Sequence, residues 1–307
     1  MGCRSMKLPW LDRTGQISPL KSAVFTAIFI PGLLTLYWFE MDMLGGRPLI
    51  EVLHETGLWT IRLLVITLAI TPTRQVFKQP KLVILRRMTG VAAFTYLVIH
   101  FCFYIVDQKY DLVTVASEIV HRVYLLIGFV TLLILTALAV TSTDGMTRRI
   151  GGKRWLMLHR LIYLACILGI IHYFLQSKLK VLEPTWFGGL VAWLLIYRVL
   201  QARLGTERAI SLPVLLALSL FIGIGTALAE AAYYSTFTGV PGYRVLQANW
   251  MLAYQWHSGF RPGWIALFIG LAFSSGGTGW RAFDQWRHPN KTRKSPTRLT
   301  PASRTAS

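Results

Sequence analysis

The stretch Trp155-Leu-Met-Leu-His159-Arg-Leu-Ile-Tyr-Leu-Ala-Cys-Ile-Leu-Gly-Ile-Ile-His172-Tyr-Phe174 is an apolar run that contains two histidines. Its length is close to the roughly 20 apolar residues that a membrane-spanning helix needs. An ionisable ring at membrane depth is costly, so such residues usually have a function and a partner. Imidazole suits iron, and haem iron is commonly held by histidine. The run therefore predicts one helix of a membrane cytochrome b.

The composition indicates a polytopic membrane protein. Of the 307 residues, 54% are hydrophobic and only 15% are charged, whereas soluble domains have about 25% charged residues. The apolar runs predict an all-α membrane bundle with eight spans, the last of them broken by Ser274-Ser-Gly-Gly-Thr-Gly279. The spans lie at about residues 22–40, 52–71, 88–106, 122–141, 156–174, 185–201, 210–231 and 263–279.

Basic residues set the predicted orientation. If the N-terminus is cytoplasmic, the inner segments hold 23 of the 32 Lys and Arg residues, which is a strong positive-inside asymmetry. The net charge of +19 is then a topology signal and no sign of nucleic-acid binding, and both termini are predicted to be cytoplasmic. The predicted parts are a cytoplasmic segment 1–21, a transmembrane haem domain 22–203, an extension with two spans 204–280, and a basic disordered tail 281–307.

The orientation gives each intramembrane histidine a depth. His100 lies in the run Val91-Ala-Ala-Phe-Thr-Tyr-Leu-Val-Ile-His100, which enters from the inner side. At 1.5 Å per residue, His100 lies roughly 18 Å from that side and His172 roughly 26 Å. The two share the outer half of the bilayer on parallel helices, which suits two axial ligands of one haem.

His159 lies near the inner face, roughly 20 Å from His172. Thirteen residues turn an ideal helix by about 3.6 turns, so the two rings point about 140° apart. The helix of His100 has no histidine at the inner level, so an inner haem would need an unusual or non-protein second ligand. A kink in the helix or a different role for His159 are the alternatives.

Two further polar residues lie on the second span. His54 is at its outer mouth and is an additional candidate for binding the cofactor. Arg62, about two turns below, is an intramembrane cation that is expensive without a counter-ion. A haem propionate would be a natural partner, and snorkelling of the side chain to the outer interface is the alternative.

An ordered set of motifs carries a family resemblance: His54-Glu-Thr-Gly57, Arg86-Arg-Met-Thr-Gly90, Leu97-Val-Ile-His100, Leu158-His-Arg-Leu-Ile-Tyr163 and Ile171-His-Tyr173. In their order and spacing, over about residues 20–203, the chain resembles the haem-binding subunits of bacterial periplasmic methionine-sulfoxide reductase systems, the MsrQ family. That family is part of the wider ferric-reductase-like transmembrane group.

The resemblance implies a six-helix core with one or two b-type haems in the bacterial inner membrane, and it puts His100, His159 and His172 at the haem-ligand positions. It implies an electron-transfer subunit rather than a self-contained enzyme. Electrons would come from the quinone pool or a cytosolic flavin reductase. They would pass to a periplasmic molybdopterin-containing MsrP-type subunit, which repairs oxidised proteins. The resemblance also implies FMN, although no motif here marks a flavin site.

Two other functions compete with this interpretation. A stand-alone ferric or quinone-linked cytochrome b reductase would reduce small acceptors without a partner. A ferric reductase with its own electron input would need an FAD or NADPH domain on the same chain, and the sequence has no Gly-x-Gly-x-x-Gly motif. A non-redox transporter that uses histidine as a proton relay would be colourless.

The outside loop from Tyr233 to Pro262 is rich in aromatic residues. An interfacial aromatic belt is the plainer interpretation of this composition. A docking surface for a partner is the alternative.

Overall fold

The computed structural model describes residues 10–11, 15–178, 180–251, 255 and 259–287. These residues form an all-α bundle, as predicted. Its helices are α1 Pro19–Glu40, α2 Pro48–Val76, α3 Leu85–Asp107, α4 Leu112–His121, α5 Val123–Val140, α6 Asp144–Ile150, α7 Gly152–His159, α8 Leu161–Ser177, α9 Leu182–Leu204, α10 Thr206–Ala209, α11 Leu212–Phe237, α12 Gly242–Trp250 and α13 Pro262–Arg287.

Within the described residues, seven segments are long and apolar enough to cross a membrane. They are α1, α2, α3 with the 3-10 turn before it, α5, α7 with α8, α9, and α11, and they match the first seven predicted spans. The eighth predicted span is a helix as well, α13, with 26 residues, although it does not reach the same apolar composition. The polytopic membrane architecture is therefore confirmed.

Helix α2 is the centre of the core, since it packs against α1, α3, α8, α9 and α13. Its Leu64 and Leu68 are almost completely buried. Its buried threonines donate hydrogen bonds to carbonyls of their own helix, as the Thr67 hydroxyl does to the Leu63 carbonyl at 2.7 Å. This bonding satisfies polar groups where no water is available.

A proline inside α1 is accommodated by a side chain from α3. Pro31 has no backbone N–H and disturbs the regular hydrogen bonding of the helix around it. The hydroxyl of Tyr96 accepts a hydrogen bond from the Gly32 N–H at 2.9 Å and donates one to the Ile28 carbonyl at 2.8 Å. A regular helix would join these two backbone groups directly. Tyr96 therefore ties α1 to α3 through polar groups of the α1 backbone.

The predicted break at Ser274–Gly279 is wrong, because α13 continues through it without interruption. The small residues of α13 face neighbouring helices. Gly270 lies against Ser219 and Trp193, and Gly277 lies against Val76. Small residues allow close approach of helices in membranes, so here they favour packing rather than a break.

Three further details differ from the predicted spans, and the first of them agrees with the alternative of a kink between His159 and His172. The fifth predicted span is divided at Arg160, where hydrogen bonds tighten to three-residue spacing between Arg160 N and Met157 O and between Tyr163 N and Arg160 O. A short amphipathic helix, α4, lies between α3 and α5. The last helix continues to Arg287, beyond the predicted domain boundary at 281, and the rest of the predicted tail, 288–307, lies outside the described residues.

We expect Gly270→Val to destabilise the protein by about 1–3 kcal/mol, because a new side chain would meet Ser219 Oγ at 2.5 Å. The matched control is Gly279→Val on the same helix, where no atom lies within 4 Å of the new Cβ. Thermal unfolding of both variants in detergent, followed by loss of the monodisperse chromatography peak, measures the difference. Equal midpoints for the two variants would contradict the packing role of Gly270.

Candidate functional site

The bundle brings together two of the three predicted histidines. His100 on α3 and His172 on α8 have ring centroids 6.4 Å apart, with their planes at 87°. Both side chains are partly buried among the helices. Helix α3 packs on α2 and helix α8 packs on α5, so the two rings meet between two helix pairs.

Each of these two rings is oriented by a main-chain carbonyl of the neighbouring helix. Nδ1 of His100 lies 2.8 Å from the carbonyl oxygen of Leu53 on α2, and Nδ1 of His172 lies 2.7 Å from that of Tyr124 on α5. A carbonyl oxygen can only accept, so Nδ1 is the protonated nitrogen and donates. In the neutral rings this leaves both Nε2 atoms unprotonated, which is the form that binds a metal.

The spacing of the rings fits two axial ligands on one iron. When metal–nitrogen bonds of about 2 Å lie on opposite sides of an ion, the centres of the two imidazoles are about 6 Å apart. The centroid distance of 6.4 Å matches this arrangement. A pair of neutral imidazoles is also a donor set that iron accepts.

Two glycines make room for the rings. A Cβ on Gly57 would lie 2.9 Å from His100 Nδ1, and a Cβ on Gly128 would lie 2.9 Å from His172 Cε1. Each glycine follows the accepting carbonyl, Leu53 or Tyr124, by four residues. One helical turn therefore provides both the hydrogen-bond acceptor and the space for the ring. We call this arrangement a carbonyl–glycine notch, and it occurs on α2 and on α5.

The third predicted histidine, His159, lies apart from this pair, at the end of α7. Its ring stacks on Trp155 with centroids 3.8 Å apart, and its Nδ1 lies 3.1 Å from the Trp155 carbonyl. Its Nε2 lies 3.4 Å from Ser142 Oγ. The indole of Trp155 in turn donates to the Thr141 carbonyl at 2.9 Å, so the α5–α7 corner holds the histidine in place.

His54 is exposed on α2, one residue after the carbonyl that accepts from His100. It does not join the ring pair.

Arg62 has carboxylate partners from the protein itself. Its guanidinium lies 3.8 Å from Glu55 and 3.7 Å from Glu183, and it stacks on the Trp59 ring at 4.7 Å. Glu183 also accepts a hydrogen bond from the Tyr173 hydroxyl at 2.8 Å. These two acidic side chains are counter-ions of Arg62 within the protein, whereas the sequence suggested a haem propionate or snorkelling to the interface.

The roles of the two glycines and of the two carbonyls were not predicted from the sequence. Gly57 stands in the quoted motif His54-Glu-Thr-Gly57, and a glycine inside an apolar helix is a signal of close packing. Gly128 lies in the middle of α5 and carries the same signal. Their partners become visible only when the helices are placed side by side.

Comparison with known proteins agrees with this geometry on the class of protein. The family model described as "Ferric reductase like transmembrane component" matches residues 56–170, which include His100 and His159 and end two residues before His172. No solved structure matches the chain.

Relatives define the family more narrowly. The protein-methionine-sulfoxide reductase heme-binding subunit MsrQ of Rhodospirillum rubrum is 39% identical over 196 residues, which are 62% of this chain and 90% of that protein. The MsrQ of Herminiimonas arsenicoxydans is 40% identical over 191 residues, 61% of this chain and 87% of that protein. The MsrQ of Xanthomonas campestris pv. campestris is 40% identical over 198 residues, 61% of this chain and 90% of that protein. The chain belongs to the MsrQ family.

We expect Arg62→Met to destabilise the protein by about 1–3 kcal/mol, because Glu55 and Glu183 would then face each other without a cation. The triple variant Arg62→Met/Glu55→Gln/Glu183→Gln removes the charges together and should recover most of the loss. Thermal unfolding in detergent compares the two. A triple variant no more stable than Arg62→Met alone would contradict the proposed ion-pair role.

Proposed function

We propose that this chain is a membrane electron-transfer subunit that binds haem b through His100 and His172. The observation that carries the proposal is the ring pair itself, with a centroid separation of 6.4 Å and both Nδ1 atoms bonded to carbonyls. The names of its relatives, which are heme-binding subunits of a methionine-sulfoxide reductase, support the same function. Bound haem would supply one-electron redox chemistry at membrane depth.

The residues of the chain have separate tasks in this proposal. His100 and His172 would hold the iron through their Nε2 atoms, and the carbonyls of Leu53 and Tyr124 hold the rings in the metal-binding tautomer. The neighbouring Arg62 is balanced by Glu55 and Glu183, so the outer half of the site carries a compact charged group beside the apolar core. Charges and hydrogen bonds of this kind tune a haem potential.

His159 is proposed as the ligand of a second, inner haem, as the family resemblance implies. The stack on Trp155 and the bond to its carbonyl support a held orientation for the ring. Its second axial ligand would have to come from outside the histidines of the chain. Occupancy of a flavin site by FMN is part of the same family-based proposal and is measured in the same preparation.

We infer the membrane from the family resemblance and the orientation of the chain from the distribution of basic residues. We place the chain in the bacterial inner membrane with eight spans and both termini in the cytoplasm, which puts His100 and His172 in the outer, periplasmic half. Electrons would enter from the quinone pool or a cytosolic flavin reductase at the inner side. They would leave to a periplasmic molybdenum-cofactor subunit of the MsrP type, which reduces methionine sulfoxide in oxidised proteins.

Purified protein should show a reduced-minus-oxidised spectrum of the b type, with haem quantified as the pyridine haemochrome. His100→Ala and His172→Ala should each remove one haem equivalent, because a single imidazole is left for the iron. His121→Ala is the control, since that side chain is exposed and bonds only within α4. Full haem content in both ligand variants would refute the assignment, and a colourless wild-type protein would refute the redox function.

The same haem quantification decides the role of His159. Two haems per wild-type chain and one in His159→Ala would support the inner site. A single haem that survives in His159→Ala would assign this residue another role.

Gly57→Ala and Gly128→Ala should disturb the haem site without removing a ligand, because each new Cβ would press on a ring at 2.9 Å. We expect a changed electron paramagnetic resonance signal of the ferric haem, since the ring planes must turn. Gly90→Ala is the matched control, because its nearest neighbour would be Thr67 Cγ2 at 3.7 Å. Identical signals in all four proteins would contradict the positioning role of the notches.

A further inference from the structure

The predicted outer surface of the bundle is divided by charge. Residues 40–51 and 107–122, at the outer ends of α1 to α5, hold six acidic and three basic side chains. The sequence that joins α8 to α9, with the first turn of α9, and the sequence that joins α11 to α13 hold four basic side chains and one acidic side chain, Glu183. Of the four cations, Arg261 pairs with the buried Glu230, so Lys178, Lys180 and Arg244 carry the basic character. One side of the outer face is therefore acidic and the other is basic.

The basic side also exposes large aromatic rings. Phe237 is 74% exposed, Trp250 is 73% exposed and Tyr243 is 64% exposed. The cations Lys178, Lys180 and Arg244 are exposed in the same region. We call these six residues the outer basic patch. Aromatic residues and arginine are the types most enriched at the energetic centres of protein interfaces.

A buried ion pair holds this surface in shape. Glu230 on α11 is fully buried and pairs with Arg261, which stands just before α13. Asn249 of α12 donates to the same carboxylate at 3.2 Å, and its carbonyl accepts from the Trp264 indole at 2.7 Å. Helix α12 therefore turns Val245 and Asn249 inward and presents Tyr243, Arg244 and Trp250 outward. A surface that is ordered in advance loses less entropy on binding.

The patch is also connected to the histidine pair. Tyr233 of α11 donates a hydrogen bond to the Lys178 carbonyl at 2.6 Å, and its ring lies 4.9 Å from Phe237 and 6.0 Å from Phe174. Phe174 is two residues from His172 on α8. A partner on the patch would thus contact the same helix end that carries one of the proposed haem ligands.

We propose that the outer basic patch is the docking surface for a soluble protein with an acidic face, and that this protein accepts the electrons. The choice of an acidic protein rests on the charge division, since opposite charge on the partner would select this half of the outer face and oppose the acidic half. The partner's role as electron acceptor rests on the proposed electron-transfer function. Its binding to the outer basic patch does not depend on that function.

The test uses the full-length protein in nanodiscs of zwitterionic lipid and the purified molybdenum-cofactor subunit proposed above as the probe. Lys178→Glu/Arg244→Glu should weaken association at least tenfold in 50 mM salt. The difference should shrink toward 300 mM salt, where the screening length falls well below about 10 Å. Arg47→Glu/Lys109→Glu is the matched control, because it reverses two exposed charges on the acidic side and should not weaken binding.

The outcomes separate the two proposals. Unchanged affinity in the patch variant, or no measurable association of the wild-type protein, overturns the docking surface. A loss of affinity that appears only when the nanodiscs contain anionic lipid also overturns it, because the patch would then bind lipid headgroups. If the patch substitutions weaken association but the purified wild-type chain holds no haem, the docking surface stands and the electron-transfer function is refuted.

Discussion

Two hydrogen bonds from imidazole N–H groups to main-chain carbonyls constrain the rest of this bundle. In lipid a helical carbonyl has few partners beyond its own helix, so a second donor that reaches it must come from a helix in close contact. The bonds from His100 to Leu53 and from His172 to Tyr124 therefore require α3 to lie against α2 and α8 against α5. Gly57 and Gly128 make that approach sterically open. The 6.4 Å ring separation is the result of both contacts together.

Close packing of small residues, more than hydropathy, attaches the last helix of the C-terminal extension to the bundle. Helix α13 packs against α9 and α11 with small residues at the contacts, and Gly277 reaches the core helix α2 at Val76. Just before α13, Arg261 pairs with the buried Glu230 of α11 and joins the two helices. A charged pair in such a place contributes more to specificity of arrangement than to net stability. The extension thus adds a defined surface to a bundle whose MsrQ relatives match 61–62% of this chain.

Much of the architecture could be predicted from the sequence, because apolar length and basic loops are strong signals. The seven apolar spans and the closeness of His100 to His172 in depth follow from counting residues. The break at Ser274–Gly279 was predicted wrongly because glycine and serine weaken an isolated helix, whereas in a bundle they permit contact. Glu55, two turns before Arg62 on the same helix, could have been found from helical spacing. Glu183 could not, since it lies on a helix distant in sequence. The carbonyl–glycine notches could not be predicted either, because each depends on a contact between two helices.

The insertion of the Tyr96 hydroxyl between Ile28 and Gly32 bears on how the protein is made. Helix α1 leaves the ribosome well before α3, so during synthesis the backbone groups around Pro31 have no tyrosine to meet. Until α3 arrives, the carbonyl of Ile28 and the amide of Gly32 must pair with each other or with water at the translocon. The helix that carries His100 therefore also supplies, once it is in place, the partner for two backbone groups in the middle of the first span.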